Sequence, residues 1–134
     1  IVIGVVLCIS KKYRRGGMQM LSAELLSFIV GNLIIKNMVD RLRPCQIDET
    51  VSLIVNIPFD SSFPSGHTLN GITAAVTLMF IDKRMGIPAI VLAVLIAFSR
   101  MYNFMHFPTD VLAGAVLGVV SAVFVNFLFK RAGN

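Results

Sequence analysis

Three short polar clusters interrupt an otherwise apolar chain of 134 residues. They comprise Lys36, Arg43 and Pro44, then Pro64, Ser65, Gly66 and His67, then Ser99, Arg100, His106 and Asp110. The two histidines of the sequence both lie in these clusters, together with three spaced cations. An imidazole can act as a nucleophile or a general acid, and basic side chains bind phosphate oxygens. The clusters therefore predict phosphate-ester chemistry better than metal binding, and we expect neither a metal nor another cofactor.

The composition indicates a membrane protein. Hydrophobic residues make up 56% of the chain and charged residues 14%, whereas a soluble domain has about 25% charged residues. Apolar segments recur at Ile1–Ile9, Met18–Ile35, Thr68–Ile81, Ile87–Phe98 and Val111–Phe129. We expect an all-α, polytopic transmembrane helical bundle that forms a single domain over residues 1–134. The first segment is short of the ~20 residues that span a bilayer, so we interpret it as the tail of a helix whose upstream part is missing.

The net charge of +5 would suggest a nucleic-acid partner in a soluble protein, but here its distribution follows membrane topology. Threading the segments alternately puts Lys11 to Arg15, Lys83, Arg84, Lys130 and Arg131 on one side. The other side carries Lys36, Arg41, Arg43 and Arg100, offset by Asp40, Asp48, Glu49, Asp60 and Asp110. The cation-rich side should be cytoplasmic. All three clusters then face the extracytoplasmic side, and no nucleic acid is expected.

Lys36 and Arg43 form the first cluster. Their spacing of seven residues predicts that they lie two turns apart on one helix face. That helix should end at or just before Pro44. A guanidinium binds phosphate oxygens in bidentate fashion, whereas a lysine acts as a point charge. The alternative is that these cations mark the membrane boundary by snorkelling.

The second cluster opens the segment Thr68–Ile81. A helix start presents unpaired amides and the positive end of the macrodipole, and both suit an anion. Ser65 is a candidate cap for that start, and Gly66 permits close approach of an oxyanion. The alternative is ordinary turn chemistry at Pro-Ser-Gly.

The third cluster pairs His106 with Asp110 around Pro108, a residue favoured in a first helical turn. At this spacing the carboxylate is expected to reach one imidazole nitrogen and to leave the other as a nucleophile. Arg100 ends the preceding segment, which is short for a span unless its helix continues past Arg100. The alternative is an interfacial histidine beside a capping aspartate.

The long connection Cys45–Phe63 precedes the second cluster. Loops of this length are usually functional or disordered. We interpret this one as a segment that lies on the bilayer and covers the site.

Together the clusters resemble the signature of the type-2 phosphatidic acid phosphatase superfamily. The blocks read Lys36-x6-Arg43-Pro44, Pro64-Ser65-Gly66-His67 and Ser99-Arg100-x5-His106-x3-Asp110. The resemblance implies a six-helix membrane core whose N-terminal part is missing from this chain. It also implies that Lys36, Arg43, Arg100, Ser65 and the amide of Gly66 bind phosphate. His106 would form a phosphohistidine, Asp110 would orient it and His67 would protonate the leaving group.

The function expected from this resemblance is that of a lipid phosphatase in the plasma membrane, similar to the bacterial undecaprenyl-diphosphatases. Its partners would be the bilayer and a membrane lipid phosphate. The alternative substrates are phosphatidic acid and phosphatidylglycerol phosphate. An alternative of another class is a non-catalytic protein that binds or transports lipid phosphates. The oligomeric state stays open.

Overall fold

The computed structural model describes residues 1–47 and 60–133, and within these ranges the chain is helical with no strand. The helices are α1 (Val2–Ile9), α2 (Arg14–Ser27), a π-helical stretch (Phe28–Ile35), α3 (Lys36–Met38), α4 (Pro44–Ile47), α5 (Gly66–Ile81), α6 (Lys83–Tyr102) and α7 (Pro108–Arg131). The predicted all-α architecture is confirmed. Most of the segment expected to cover the site, residues 48–59, lies outside the described residues.

Three continuous helical stretches are long and apolar enough to cross a membrane. They are Arg14–Met38, Lys83–Tyr102 and Pro108–Arg131, with 25, 20 and 24 residues. Helix α5, with 16 residues, is shorter. Helix α6 continues past Arg100 to Tyr102, as its length as a span requires, and Arg100 lies in its last turn.

Helix α5 packs against α6, α7 and α2 and is the centre of the bundle. Two glycines of α7 permit its close approach to α5. A Cβ at Gly114 would lie 2.7 Å from the carbonyl oxygen of Ser65, and one at Gly118 would lie 2.8 Å from that of Leu69. Since neither backbone oxygen could yield easily, larger residues would push α7 away from the helix that begins at the second cluster.

The first cluster does not lie on one helix. The helix that carries Lys36 ends at Met38, and Val39 is already extended, with φ −111° and ψ 91°. Arg43 follows in an irregular segment, and Pro44 begins α4. The prediction that Lys36 and Arg43 share a helix face two turns apart is therefore wrong. Pro44 disfavours helical geometry in Arg43 and begins α4, which accounts for Arg43 lying outside a helix but not for the break at Val39.

The N-termini of α5 and α7 lie with the C-termini of α3 and α6 at one end of the bundle, which we call the motif end. We propose that this end faces outward. A cysteine replacing the exposed Asp40 should then react with an impermeant thiol reagent in intact cells. A cysteine replacing the exposed Lys12, at the other end, should react only after the membrane is opened.

The native cysteines at 8 and 45 are first replaced by serine, so that labelling reports only the introduced thiol. The reverse labelling pattern would show that the motif end faces the cytoplasm.

Candidate active site

A cavity of about 430 Å³ opens at the motif end of the bundle. It is lined by Phe28, Asn32, Lys36, Arg43, Asp60, Gly66, His67, Asn70, Arg100, Met105 and His106. Six of the eight residues predicted for the site are in this lining. The other two, Ser65 and Asp110, are fully buried and lie behind it.

Arg43 is the most buried cation of the cavity, with 4% of its side chain exposed. Its Nη1 donates to the carbonyl oxygen of Met105 at 2.9 Å and lies 3.3 Å from Nε2 of His106. Its Nη2 forms an ion pair with Asp60 at 2.7 Å. These contacts fix the guanidinium plane beside the histidine.

Arg100 reaches the same cavity from the last turn of α6. Its Nε is buried and has no hydrogen-bond partner among the described residues. A buried donor without a partner is costly, and an anion in the cavity would satisfy it. Arg100 is therefore well suited to bind a phosphoryl oxygen.

The tautomer of His106 follows from its hydrogen bonding. Its Nδ1 lies 2.8 Å from the carbonyl oxygen of Ser62. Because a carbonyl oxygen can only accept, Nδ1 carries the proton and Nε2 keeps its lone pair. Burial, and next the positive charge of Arg43, lower the pKa of His106 from 6.5 to about 4. The imidazole is thus neutral at physiological pH, as a nucleophile must be.

Asp110 has no exposed surface and accepts hydrogen bonds from three groups. Its Oδ1 accepts from Arg41 at 2.7 Å, and its Oδ2 accepts from Ser62 Oγ at 2.5 Å and from the Phe107 amide at 2.9 Å. The distance from Oδ2 to Nδ1 of His106 is 3.8 Å, within ion-pair range but too long for a hydrogen bond. The expected direct hydrogen bond from imidazole to carboxylate is therefore replaced by contacts through Ser62.

Ser65 occupies the N-cap position of α5, but its side chain makes no capping hydrogen bond. Its hydroxyl accepts from Thr68 Oγ1 at 3.0 Å instead. Because this contact keeps the hydroxyl buried behind the cavity, the expected cap is absent and direct phosphate binding by Ser65 is not favoured. Gly66 does line the cavity, and a Cβ there would lie 2.9 Å from Asn32 Oδ1.

Sequence reasoning missed three residues of the site. The sequence places Arg41 only among the cations of one membrane side, yet it binds Asp110 and lies over the Phe107 ring at 4.1 Å. Ser62 contacts both His106 and Asp110. Asp60 binds Lys36 and Arg43. The only sequence signal was their proximity to the clusters.

Within residues 1–47 and 60–133, no three His, Cys, Asp or Glu side chains are grouped so as to hold a metal ion. Independence from metal stays a prediction, since a lipid phosphate can carry a cation with it.

A family model described as the PAP2 superfamily matches residues 16–133. The chain belongs to the PAP2 superfamily. It is 36% identical over 119 residues to an undecaprenyl-diphosphatase of Sulfolobus acidocaldarius, covering 88% of this chain and 57% of that protein. It is 33% identical over 100 residues to phosphatidylglycerophosphatase B of Bacillus subtilis, covering 66% of this chain and 46% of that one.

A solved PAP2 structure supports the fold. The crystal structure of a transmembrane PAP2 type phosphatidylglycerolphosphate phosphatase from Bacillus subtilis has a TM-score of 0.77 and 28% identity. The match covers 97% of this chain and 66% of that one. The chain spans about half the length of the curated relatives that it matches. The resemblance inferred from the three clusters is confirmed, as is a multi-pass membrane architecture.

The low pKa of His106 predicts how stability depends on pH. Unfolded His106 takes up a proton near pH 6.5, whereas folded His106 resists protonation until about pH 4. Stability from this group is therefore present above pH 6.5 and lost as the pH falls towards 4. We expect His106→Gln to lose less thermal stability than wild type between pH 7 and pH 4.5. Unfolding midpoints in detergent measure this.

Both proteins share every titratable group except the imidazole at position 106, so the difference between the two pH responses reports that imidazole. An equal or larger loss in His106→Gln would show that His106 is not held neutral by the fold.

Proposed function

We propose that the protein is an integral-membrane phosphatase that hydrolyses a lipid phosphate through a phosphohistidine. The observation that carries this proposal is the convergence of Lys36, Arg43, Arg100 and both histidines on one cavity. Fixed cations stabilise the charge that develops on phosphoryl oxygens in the transition state. A nucleophile and an acid beside such cations are what hydrolysis requires and what simple binding does not.

In the first step, Nε2 of His106 attacks phosphorus and the bond to the leaving oxygen breaks. His67, at the cavity surface, gives its proton to that oxygen. In the second step, His67 takes a proton from water, the oxygen of that water attacks phosphorus, and the phosphorus–nitrogen bond breaks. Phosphate leaves, and both histidines return to their starting states.

The remaining groups of the site bind the phosphate and support the nucleophilic histidine. Lys36, Arg43, Arg100 and the Gly66 amide bind the phosphoryl oxygens. Asp110 stabilises the positive charge that develops on His106 through Ser62 and by its proximity at 3.8 Å. An imidazole whose proton is held on Nδ1 presents only Nε2 to phosphorus.

We infer that the substrate is a lipid diphosphate of the undecaprenyl type, hydrolysed at the outer face of the plasma membrane. This choice is supported by the names of relatives, including undecaprenyl-diphosphatase BcrC of Bacillus subtilis, 31% identical over 63% of this chain. Phe28 lines the cavity and is also exposed on the bundle surface, so it offers an apolar edge to a lipid chain. The second candidate is phosphatidylglycerol phosphate, favoured by the likeness to the solved phosphatase.

A non-catalytic binder or transporter is the alternative of another class. One relative, 35% identical over 77% of this chain, is named bacitracin transport permease protein BcrC of Bacillus licheniformis. The unprotonated Nε2 of a neutral, buried His106 favours the enzyme, because binding alone would be served better by a charged imidazolium.

Release of phosphate from a substrate panel tests the proposal. Full-length protein in excess EDTA should hydrolyse undecaprenyl diphosphate faster than phosphatidylglycerol phosphate or phosphatidic acid. Orthovanadate should inhibit, because its five-coordinate form mimics the transition state. His106→Ala protein is the control for contaminating phosphatases. Activity that is lost to EDTA and restored by magnesium would refute the mechanism, and lipid binding without phosphate release would favour the binder.

The two histidines can be separated by the step that each controls. His67→Ala should lose activity most on a lipid monoester, whose alkoxide needs a proton, and less on p-nitrophenyl phosphate, whose phenolate leaves unaided. The loss on the lipid should be about 10²–10⁴-fold. His106→Ala should be inactive on both substrates and form no acid-labile phosphoenzyme. These rates and acid-quenched labelling with radioactive phosphate measure the difference.

Equal losses of His67→Ala on both substrates would exclude it as the acid. A phosphoenzyme that persists in His106→Ala would exclude His106 as the nucleophile.

A further inference from the structure

Asp60 places a carboxylate between two of the cations that line the cavity. Its Oδ2 forms an ion pair with Lys36 Nζ, and its Oδ1 lies 2.7 Å from Nη2 of Arg43. Both cations line the cavity that also contains Nε2 of His106. Two oxygens on one planar group thus contact the two cations as two phosphoryl oxygens would.

The three side chains differ in how firmly they are held. The side chain of Lys36 is 12% exposed and that of Arg43 is 4% exposed, whereas that of Asp60 is 51% exposed. Arg43 also donates to the Met105 carbonyl, independently of Asp60. Arg43 is therefore fixed in the cavity wall and Lys36 is largely buried there, whereas the half-exposed carboxylate of Asp60 is the member with solvent to rotate into.

Asp60 is charged under ordinary conditions. Burial alone would raise the pKa of Asp60, but its ion pairs with Lys36 and Arg43 hold it below the ordinary value. An incoming phosphate therefore meets two cations whose charge the Asp60 carboxylate already neutralises in part. The phosphate must break both ion pairs before it can take the place of that carboxylate.

We propose that Asp60 is an internal competitor for the phosphate subsite, which its carboxylate occupies in the ligand-free protein and vacates when phosphate binds. This inference rests on the proposed function, because it takes Lys36 and Arg43 to be the phosphate ligands. Only the fraction of molecules with Asp60 turned away can bind an anion, and the apparent affinity is reduced by that fraction. Asp60 thus keeps weakly bound anions out of a strongly basic site.

The opposite role would be a positioning residue that must stay bound to hold Lys36 and Arg43 in place. The two roles predict opposite changes in phosphate affinity when Asp60 is removed. Removing a competitor tightens phosphate binding, whereas removing a support loosens it.

The test compares Asp60→Asn with wild type in the full-length protein. Asparagine keeps the size of the side chain but cannot compete as an anion. We expect orthophosphate to bind about tenfold more tightly to the variant. The reason is that phosphate no longer has to break the charge-assisted hydrogen bonds that the Asp60 carboxylate makes with Lys36 and Arg43. Dimethyl phosphate, a monoanion, should gain by the same factor, because the competent fraction is common to all anions. Binding is measured by thermal stabilisation of the folded protein, which needs no activity.

Asp40→Asn is the matched control. Asp40 lies on the same end of the bundle, lines a neighbouring cavity with Asp60, and forms no ion pair within the described residues. The Asp40→Asn variant removes the same negative charge as Asp60→Asn, so it reports how far the loss of one charge alone changes the phosphate affinity. Its phosphate affinity should stay within about twofold of wild type, since exposed charges interact weakly.

Several outcomes overturn the inference. Unchanged or weaker phosphate binding in Asp60→Asn would exclude competition. A gain for orthophosphate much larger than that for dimethyl phosphate, or an equal gain in Asp40→Asn, would mean that local charge alone acts. If neither wild type nor Asp60→Asn binds either anion, Lys36 and Arg43 do not form a phosphate site and the proposed function itself fails. Should Asp60→Asn not fold, Asp60→Ser, which is too short to bridge both cations, replaces it with the same expected gain.

Discussion

The buried carboxylate of Asp110 is the constraint on which the arrangement of the motif end depends. A charged group without exposed surface is destabilising unless it is paired and fully hydrogen-bonded. Its partners come from separate segments: Arg41 follows the helix that bears Lys36, and Ser62 precedes α5. The Phe107 amide, the third donor, belongs to the start of α7 itself. Satisfying this one carboxylate therefore helps to hold the segment after α3 and the segment before α5 against the start of α7.

The same network leaves the cavity short of negative charge and rich in positive charge. Arg41 is used on Asp110, whereas Lys36, Arg43 and Arg100 face the cavity. Asp60 is the one carboxylate in the lining that the structure describes, and it balances only part of that charge. His106 stays neutral because burial and Arg43 both oppose its protonation. The mutual repulsion of these cations is unfavourable in an empty cavity. It is offset once the negative charge of a phosphoryl group enters.

The sequence predicted the helices and six of the eleven residues that line the cavity, because both depend on local patterns. Apolar runs of span length require helices in a bilayer, and His106 and Asp110 are only four residues apart, across the start of α7. Non-local geometry could not be predicted in this way. Arg43 lies outside the helix of Lys36, and the Ser65 hydroxyl contacts Thr68 instead of capping α5. Ser62 lies between His106 and Asp110. Irregular segments have no periodicity, so their side-chain directions depend on the partners they meet.

The tripeptide from Asp60 to Ser62 combines a movable group with a fixed one. Ser62 is anchored on both faces of its backbone: its amide donates to the Arg41 carbonyl at 2.8 Å, and its own carbonyl holds Nδ1 of His106. Its hydroxyl donates to Asp110. Asp60, two residues earlier, is bound only through its contacts with Lys36 and Arg43 among the described residues. A side-chain rotation of Asp60 can therefore open the phosphate subsite without changing the tautomer or the position of the nucleophile. If one residue both occupied the phosphate subsite and positioned the imidazole, each entering phosphate would displace the imidazole that has to attack it.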